Sequence, residues 1–370
     1  MEYGHGGDVY TKGVCKNIKL IDFSSNINPL GVPNSFREHL PEALDNAVRY
    51  PDIKYWELKN NIVKYLNKDF NVKSDYLVLG NGASEIIDLT LSCFKSVLIP
   101  IPSFSEYKDN ALKWNCRVEY SFLKDDMEFD YEDILSKLEN VEAMIIGNPN
   151  NPAGNIIHKE KFKNILDYCE KNGKTIIIDE AFVEFTGISL VSFLKELTQY
   201  KCLFVIRAIT KFFSLPGIRF GFGVSRDAEL IDKIKGKQNP WNINCFAETA
   251  VKYILIDEEY IKASLIWIKN QRKFLGDKLR EISFISKVYE TQSNFILCKL
   301  QGINCDKLYD LCLERGIVIR RAGNFDGLDS SFIRLAIKDK ESNTSLINCL
   351  SNIKVNVKRG EKSEKYANIF

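Results

Sequence analysis

Basic and acidic residues nearly cancel over this 370-residue chain, 51 against 49, leaving a formal net charge of +2. No global field therefore draws it to nucleic acid or to an anionic membrane surface. A hydrophobic content of 45% suits a globular protein of two or more domains with a sizeable core, and the apolar runs are far too short to span a bilayer.

The opening Met1-Glu2-Tyr3-Gly4-His5-Gly6-Gly7-Asp8 has neither a charged n-region nor an apolar h-region, so no secretory signal is expected and the cytoplasm is the expected compartment. Apolar, β-branched runs then alternate with amphipathic stretches, the pattern of a sheet with helices on its faces. Strands are expected at 76–79, 96–100, 118–122, 143–147, 175–179, 202–207 and 219–224, with helices between them, for example at 84–93 and 159–171. Several runs are almost wholly apolar, as expected of strands covered on both sides. Beyond about residue 242 a long helical pattern passes through Trp267 and Leu279. Strands at 295–299, 317–320 and 332–337 follow, with a last helix at 341–350. This divides the chain into an N-terminal arm (1–45), a large domain (46–250), a connecting helix (251–283), a small α+β domain (284–356) and a polar tail (357–370) expected to fray. Ten cysteines are scattered without a CxxC and only three histidines occur. Reduced thiols are expected, and no metal site.

Four segments carry the chemistry. Gly80-Asn81-Gly82-Ala83-Ser84-Glu85 is a glycine-rich turn entering a helix, whose free N–H groups and dipole suit a phosphate. Ser84 there also reads as a plain N-cap. Asn148-Pro149-Asn150-Asn151-Pro152-Ala153-Gly154 is a loop. Asp179-Glu180-Ala181-Phe182 closes an apolar strand, putting a carboxylate at the edge of the sheet where ligands bind in open α/β folds. In Ala208-Ile209-Thr210-Lys211 a lysine follows a hydroxyl residue, and Arg219 stands eight positions later.

Together and in this order these segments resemble fold-type I pyridoxal-phosphate enzymes of the aspartate aminotransferase class, over nearly the whole chain. The resemblance implies an α/β fold: a large domain with a mostly parallel mixed sheet flanked by helices, plus a small α+β C-terminal domain. It also implies pyridoxal 5′-phosphate as cofactor. Lys211 would be the amine that bonds its aldehyde, Asp179 the carboxylate on its pyridine nitrogen and Asn151 a donor to its ring hydroxyl. Gly82, Ala83, Ser84, Thr210 and Arg219 would surround its phosphate, a guanidinium suiting that group by bidentate contact. Phe104, in Pro102-Ser103-Phe104, would stack on the ring. Tyr50, in Arg49-Tyr50-Pro51-Asp52, resembles a tyrosine inserted into the neighbouring subunit's site, which implies a homodimer. Two positions depart from the commoner pattern. Ala208 replaces a hydroxyl residue that contacts the phosphate, and Phe182 replaces a tyrosine near the ring oxygen.

Within that class the chain resembles the histidinol-phosphate aminotransferase branch, and in it the threonine-phosphate decarboxylases most. The opening Gly4-His5-Gly6-Gly7, the stretch from Asp22 to Gly31, Phe182 and the run Arg320–Asp329 carry this, although Asp8 stands where those decarboxylases often have Asn. A small phosphorylated amino acid, threonine phosphate or serine phosphate, is the implied substrate. His5, Asn28, Gly31, Arg320 and Arg334 are the implied substrate contacts. Arg320 and Arg321 are adjacent, so on a strand they point to opposite faces and one of them reaches the pocket; Arg320 matches the motif. Arg334 is a lone charge in the apolar strand Phe332-Ile333-Arg334-Leu335. The alternative is an aminotransferase acting on histidinol phosphate or a triose phosphate. A transcription factor built on this fold would need an appended DNA-binding domain, and the resemblance already begins near residue 5.

Overall fold

The computed structural model describes residues 6–187 and 190–355. His5 and the tail 357–370, both singled out from sequence, lie outside the described residues. The chain enters through a short strand, β1 (Ile21–Asp22), and then builds a central sheet from seven strands. These are β2 (Leu77–Gly80), β3 (Ser96–Ile101), β4 (Arg117–Phe122), β5 (Ala143–Gly147), β6 (Thr175–Asp179), β7 (Leu203–Ala208) and β8 (Gly221–Ser225), in the order β2-β8-β7-β6-β5-β3-β4. Every pairing is parallel except the two made by β8, which runs antiparallel to β2 and to β7. The expected mixed, mostly parallel sheet is present.

Its strands read as unbroken apolar runs because both faces are covered. In β6, Ile176 and Ile178 join the core formed with Phe162, Ile165 and Leu166 of the helix Lys159–Asn172. Ile177 points the other way, into a core with Ile86, Ile87 and Leu91 of the helix Ala83–Leu91. All three isoleucines are fully buried, each contributing about 1.5–3 kcal/mol. At the sheet's edge β4 is only partly covered, and its pattern mixes charged with apolar residues.

The helix Glu258–Arg280 follows, its first turn capped by the Asp257 carboxylate. It is shorter than the expected 251–283, since residues up to Ile254 belong to a separate helix that begins at Cys245. A second, antiparallel sheet comprises β9 (Ile285–Val288), β10 (Phe295–Leu300), β12 (Arg320–Arg321) and β13 (Phe332–Ala336), in the order β12-β13-β10-β9. The strand expected at 317–320 is two strands. β11 (Ile317–Val318) pairs in parallel with β1, tying the N-terminal arm to this region, and after Ile319 the chain switches sheets to form β12.

Close backbone approach fixes the junction between the two sheets. Gly154 has φ +82°, and a Cβ there would lie 2.1 Å from Thr291 Oγ1, so glycine alone fits. Its carbonyl accepts from Gln292 N at 2.8 Å. Arg272, on the long helix, donates to the carbonyls of Gln292 (2.7 Å), Ser293 (3.0 Å) and Phe185 (3.0 Å). No carboxylate shares this site among the described residues, and burial pushes the guanidinium down to about 10. Replacing Arg272 by leucine would strand these carbonyls and lower stability by about 2–4 kcal/mol. Urea unfolding measures this, and an unchanged midpoint would show that the guanidinium does not hold the junction.

Candidate active site

The carboxyl ends of the parallel strands, the asparagine-proline loop and the face of β12 and β13 enclose a cavity of about 470 Å³. Of the residues singled out from sequence, Ala83, Ser84, Phe104, Asn151, Asp179, Thr210, Lys211, Arg219, Arg320 and Arg334 all line it.

Asp179 ends β6, and its side chain is buried. Its Oδ2 accepts from the Tyr107 hydroxyl at 2.7 Å and its Oδ1 from Ala181 N at 3.0 Å. Burial raises its pKa above the ordinary carboxylate range, against the lowering effect of those two donors and of Lys211. Lys211 lies in the turn three residues beyond β7, the strand beside β6. Its amine is pushed down to about 8, first by burial, then by Arg334 and Arg219, with only Asp179 opposing among the main influences. The pocket thus holds an amine that gives up its proton more readily than an ordinary lysine and a buried carboxyl group with no salt bridge among the described residues.

One end of the cavity is built for an anion. Gly82 caps the helix Ala83–Leu91 with φ +83°, and no side chain caps that terminus, leaving its first N–H groups open. A Cβ on Gly82 would lie 2.5 Å from Arg219 Nη2. Arg219 itself has φ +58°, a left-handed conformation that is strained for a residue with a side chain. Its Nη1 donates to Pro216 O (3.2 Å) and its Nη2 reaches Ser84 Oγ at 3.4 Å.

From the second sheet, β12 and β13 place Arg320 directly across from Arg334. Like charges in that register repel. Both are buried. Burial pushes Arg334 down to about 9 and Arg320 down to about 10, and in each case a neighbouring arginine adds to the effect. Arg334 donates to Asn151 Oδ1 and to Ser24 O (2.8 Å), while its Nε is buried with no partner. No carboxylate pairs with Arg334 among the described residues. Arg321 points outward to Asp306 at 3.1 Å, as strand alternation requires.

Three sequence-selected residues lie elsewhere. Asn28 does not line the cavity. Its amide donates to Phe212 O and Ser264 Oγ, both at 2.8 Å, and its backbone N donates to Lys211 O at 3.1 Å. The expected substrate contact is thus corrected to a brace behind the lysine loop. Gly31 likewise lies outside, its carbonyl accepting from Tyr260 Oη at 2.8 Å. Tyr50 is 78% exposed with its ring 4.7 Å from Trp241, away from this chain's own pocket.

Sequence reading missed Tyr107, although it stands three positions after Phe104 on the helix Ser105–Lys113, where i and i+3 share a face. It also missed Ser24, Ser25, Asn26 and Phe325, which line the cavity. Asn26 Oδ1 is buried without a partner. No local signal in the polar run Ser24-Ser25-Asn26 marks these residues as cavity-facing.

A helix N-terminus without a side-chain cap beside a guanidinium, a buried lysine of lowered pKa and a buried aspartate at the neighbouring strand end are the groups of a vitamin B6 enzyme of the large α/β class. The residues present fit that cofactor: Gly82 at φ +83° brings backbone close to Arg219, and buried Asp179 has no salt bridge among the described residues, leaving it for a protonated pyridine. The family model for aminotransferase class I and II matches residues 18–350. The chain belongs to that family, and its cofactor is pyridoxal phosphate. It is 38% identical to a protein of Caldanaerobacter subterraneus subsp. tengcongensis provisionally named threonine-phosphate decarboxylase, over 94% of this chain and 93% of that one. It is 29% identical to the threonine-phosphate decarboxylase of Salmonella typhimurium, over 94% and 96% of the two chains. A crystal structure described as the histidinol-phosphate aminotransferase of Clostridium acetobutylicum is 52% identical, with a TM-score of 0.87 over 90% of this chain and 98% of that one.

A depressed amine makes cofactor uptake pH-dependent in a fixed direction. The unprotonated amine is the nucleophile, so the rate at which apoprotein turns yellow with pyridoxal phosphate should rise with pH and reach half its limit near about 8. Stopped-flow absorbance measures this. A half-point near the ordinary lysine value, or full colour in Lys211→Ala, would contradict the assignment of Lys211.

Proposed function

We propose that this enzyme decarboxylates an O-phospho-L-amino acid, threonine phosphate or serine phosphate, to the amino-alcohol phosphate and carbon dioxide. One observation carries the reading: besides Arg219 at the helix N-terminus, the cavity is lined by Arg320 and Arg334, paired across β12 and β13. That terminus suits the cofactor's phosphate. The arginine pair then remains for a substrate bearing two anionic groups, a phosphate and a carboxylate, on one small molecule. The names of two relatives agree with this chemistry.

In this reading Lys211 would hold the cofactor's aldehyde, Asp179 would hold its ring nitrogen in the protonated form, and Phe104 would wall its ring. Bound there, pyridoxal phosphate would supply an electron sink for whichever bond at the substrate's Cα the protein presents for cleavage. Arg320 and Arg334 fix that choice by gripping the phosphate and the carboxylate. Presenting the bond to the carboxylate would release carbon dioxide, and the Lys211 amine would give one proton to Cα in its place. Gly6, seated at the cavity wall beside Ser24, supports a role for the N-terminal arm, His5 included, as cover over the phosphate. One methyl distinguishes threonine phosphate from serine phosphate, about 1 kcal/mol in a pocket, so both are expected substrates.

Aminotransfer on a small phosphorylated substrate is the second reading, favoured by the 52% identical structure. It differs in which Cα bond the protein would present for cleavage. Incubation with each phospho-amino acid and no amino acceptor separates the two: carbon dioxide should appear over many turnovers. Turnover that requires glutamate or 2-oxoglutarate would overturn the decarboxylase reading. Arg334→Gln should raise KM for the phospho-amino acid about 10- to 100-fold, the loss of one charged hydrogen bond, and an unchanged KM would remove Arg334 from the substrate site.

We also propose a homodimer. Leu44, Val48, Tyr50, Ile53, Trp56 and Trp241 are exposed apolar side chains drawn mostly from one stretch of chain, and such a concentration suits a subunit interface. Tyr50 would then serve the partner's site.

A further inference from the structure

Behind the cavity floor lies a group of charges that the chemistry above does not use. Successive residues of a strand point to opposite faces. At the end of β6 Asp179 faces the cavity, while Glu180 faces the core behind it. At the end of β7 Ala208 lines the cavity and Arg207 faces backward. Glu180 and Arg207 meet there: Arg207 Nε donates to Glu180 Oε2 at 2.8 Å. Arg207 Nη1 donates to Glu184 Oε1 at 3.0 Å, and Nη2 to Ser192 Oγ at 2.9 Å. Glu180 also accepts from Ser192 Oγ (2.8 Å) and from Phe193 N (2.7 Å). Arg207, Glu180 and Ser192 have no exposed surface, and Glu184 is nearly as covered.

Such a cluster is a poor way to gain stability. Desolvating these ions costs several kcal/mol each, and well-packed apolar residues of similar volume often do as well or better. Its position explains it better. The ion pair crosses from the last residue pairs of β6 to those of β7, where Glu180 N still donates to Ile206 O at 2.8 Å. On the front of these same strand ends stand Asp179 and, three residues beyond Ala208, Lys211. A fixed guanidinium–carboxylate geometry resists sliding or splaying of the two strands more sharply than non-directional apolar packing does. Ser192 and Phe193 are drawn into the same hold, which closes the core beneath it.

We infer that Arg207, through its bond to Glu180, is a positioning residue: it sets the relative placement of the Asp179 carboxylate and the Lys211 amine, and thereby how firmly one cofactor spans both. The inference rests on the reading of Asp179 and Lys211 as cofactor residues. It assigns Glu180 and Arg207 no contact with cofactor or substrate.

The test uses purified holoenzyme and two variants. Glu180→Gln keeps the shape and weakens the pair; the triple variant Glu180→Met, Glu184→Met, Arg207→Met replaces the whole cluster with apolar side chains. Cofactor release into excess apo-acceptor protein and the pH midpoint of the bound cofactor's visible band are read alongside thermal unfolding. The triple variant should unfold at or above the wild-type temperature, yet release cofactor about tenfold faster or more, the scale expected of slight misplacement of a site. Its visible band should titrate at a shifted pH, and Glu180→Gln should fall between. Variants that match wild type in release and in band midpoint, whatever their unfolding temperature, overturn the inference. If the triple variant fails to fold, Glu180→Gln decides alone by the same two readouts. Wild-type protein that takes up no cofactor at Lys211 would instead overturn the reading of the site, leaving the two failures distinct.

Discussion

Lys211 is surrounded by more positive than negative charge: Arg334, Arg219 and Lys338 bear on it against Asp179 alone. Burial adds to this imbalance, since an ammonium loses more on leaving water than an amine does. The excess has a direct cause in what the pocket is built to hold. A phosphorylated cofactor needs cations beside it, and such cations, together with burial, lower the pKa of Lys211. The same electrostatics that bind the ligands thus make the nucleophile ready to react.

The fold delivers these groups from separate stretches of chain. Parallel strands bring Asp179 and the loop carrying Lys211 to one edge, and the single antiparallel strand β8 returns the chain so that Arg219 meets the helix N-terminus at Gly82. The second sheet supplies Arg320 and Arg334 from two adjacent strands, its approach fixed by Gly154 against Thr291. The N-terminal arm completes the enclosure. β1 pairs with β11, Ser24 accepts from Arg334, and Asn28 braces the lysine loop through Phe212 and Lys211. Cavity residues therefore span the chain from Gly6 to Arg334.

Much of this was legible in the amino-acid sequence, for physical reasons. The strands at 143–147 and 175–179 coincide with β5 and β6 because strands covered on both faces read as unbroken apolar runs. Two-residue β1 was not legible, since its pairing with β11 joins positions nearly 300 apart and leaves no local pattern. β9 escaped notice because Ser286 and Lys287 are exposed and break its apolar signal. At the site, residue types with a characteristic spacing, Lys211, Arg219 and the Gly82 turn, fell where expected. Asn28 did not, because in a polar loop such as Ser24–Asn28 nothing local says which amide faces the cavity. The hydrogen bonds of Asn28 to Phe212 and Ser264 are long-range facts. Tyr107 was hidden for the opposite reason: a tyrosine on an amphipathic helix reads as core, and only the folded sheet brings its hydroxyl to Asp179.

All of these assignments require one covalent attachment point. Borohydride reduction of the yellow protein, followed by peptide mass spectrometry, locates it directly. The account predicts one pyridoxyl phosphate per chain, on the peptide bearing Lys211. Modification of another lysine under conditions that preserve activity, or an active protein left unmodified, would contradict it.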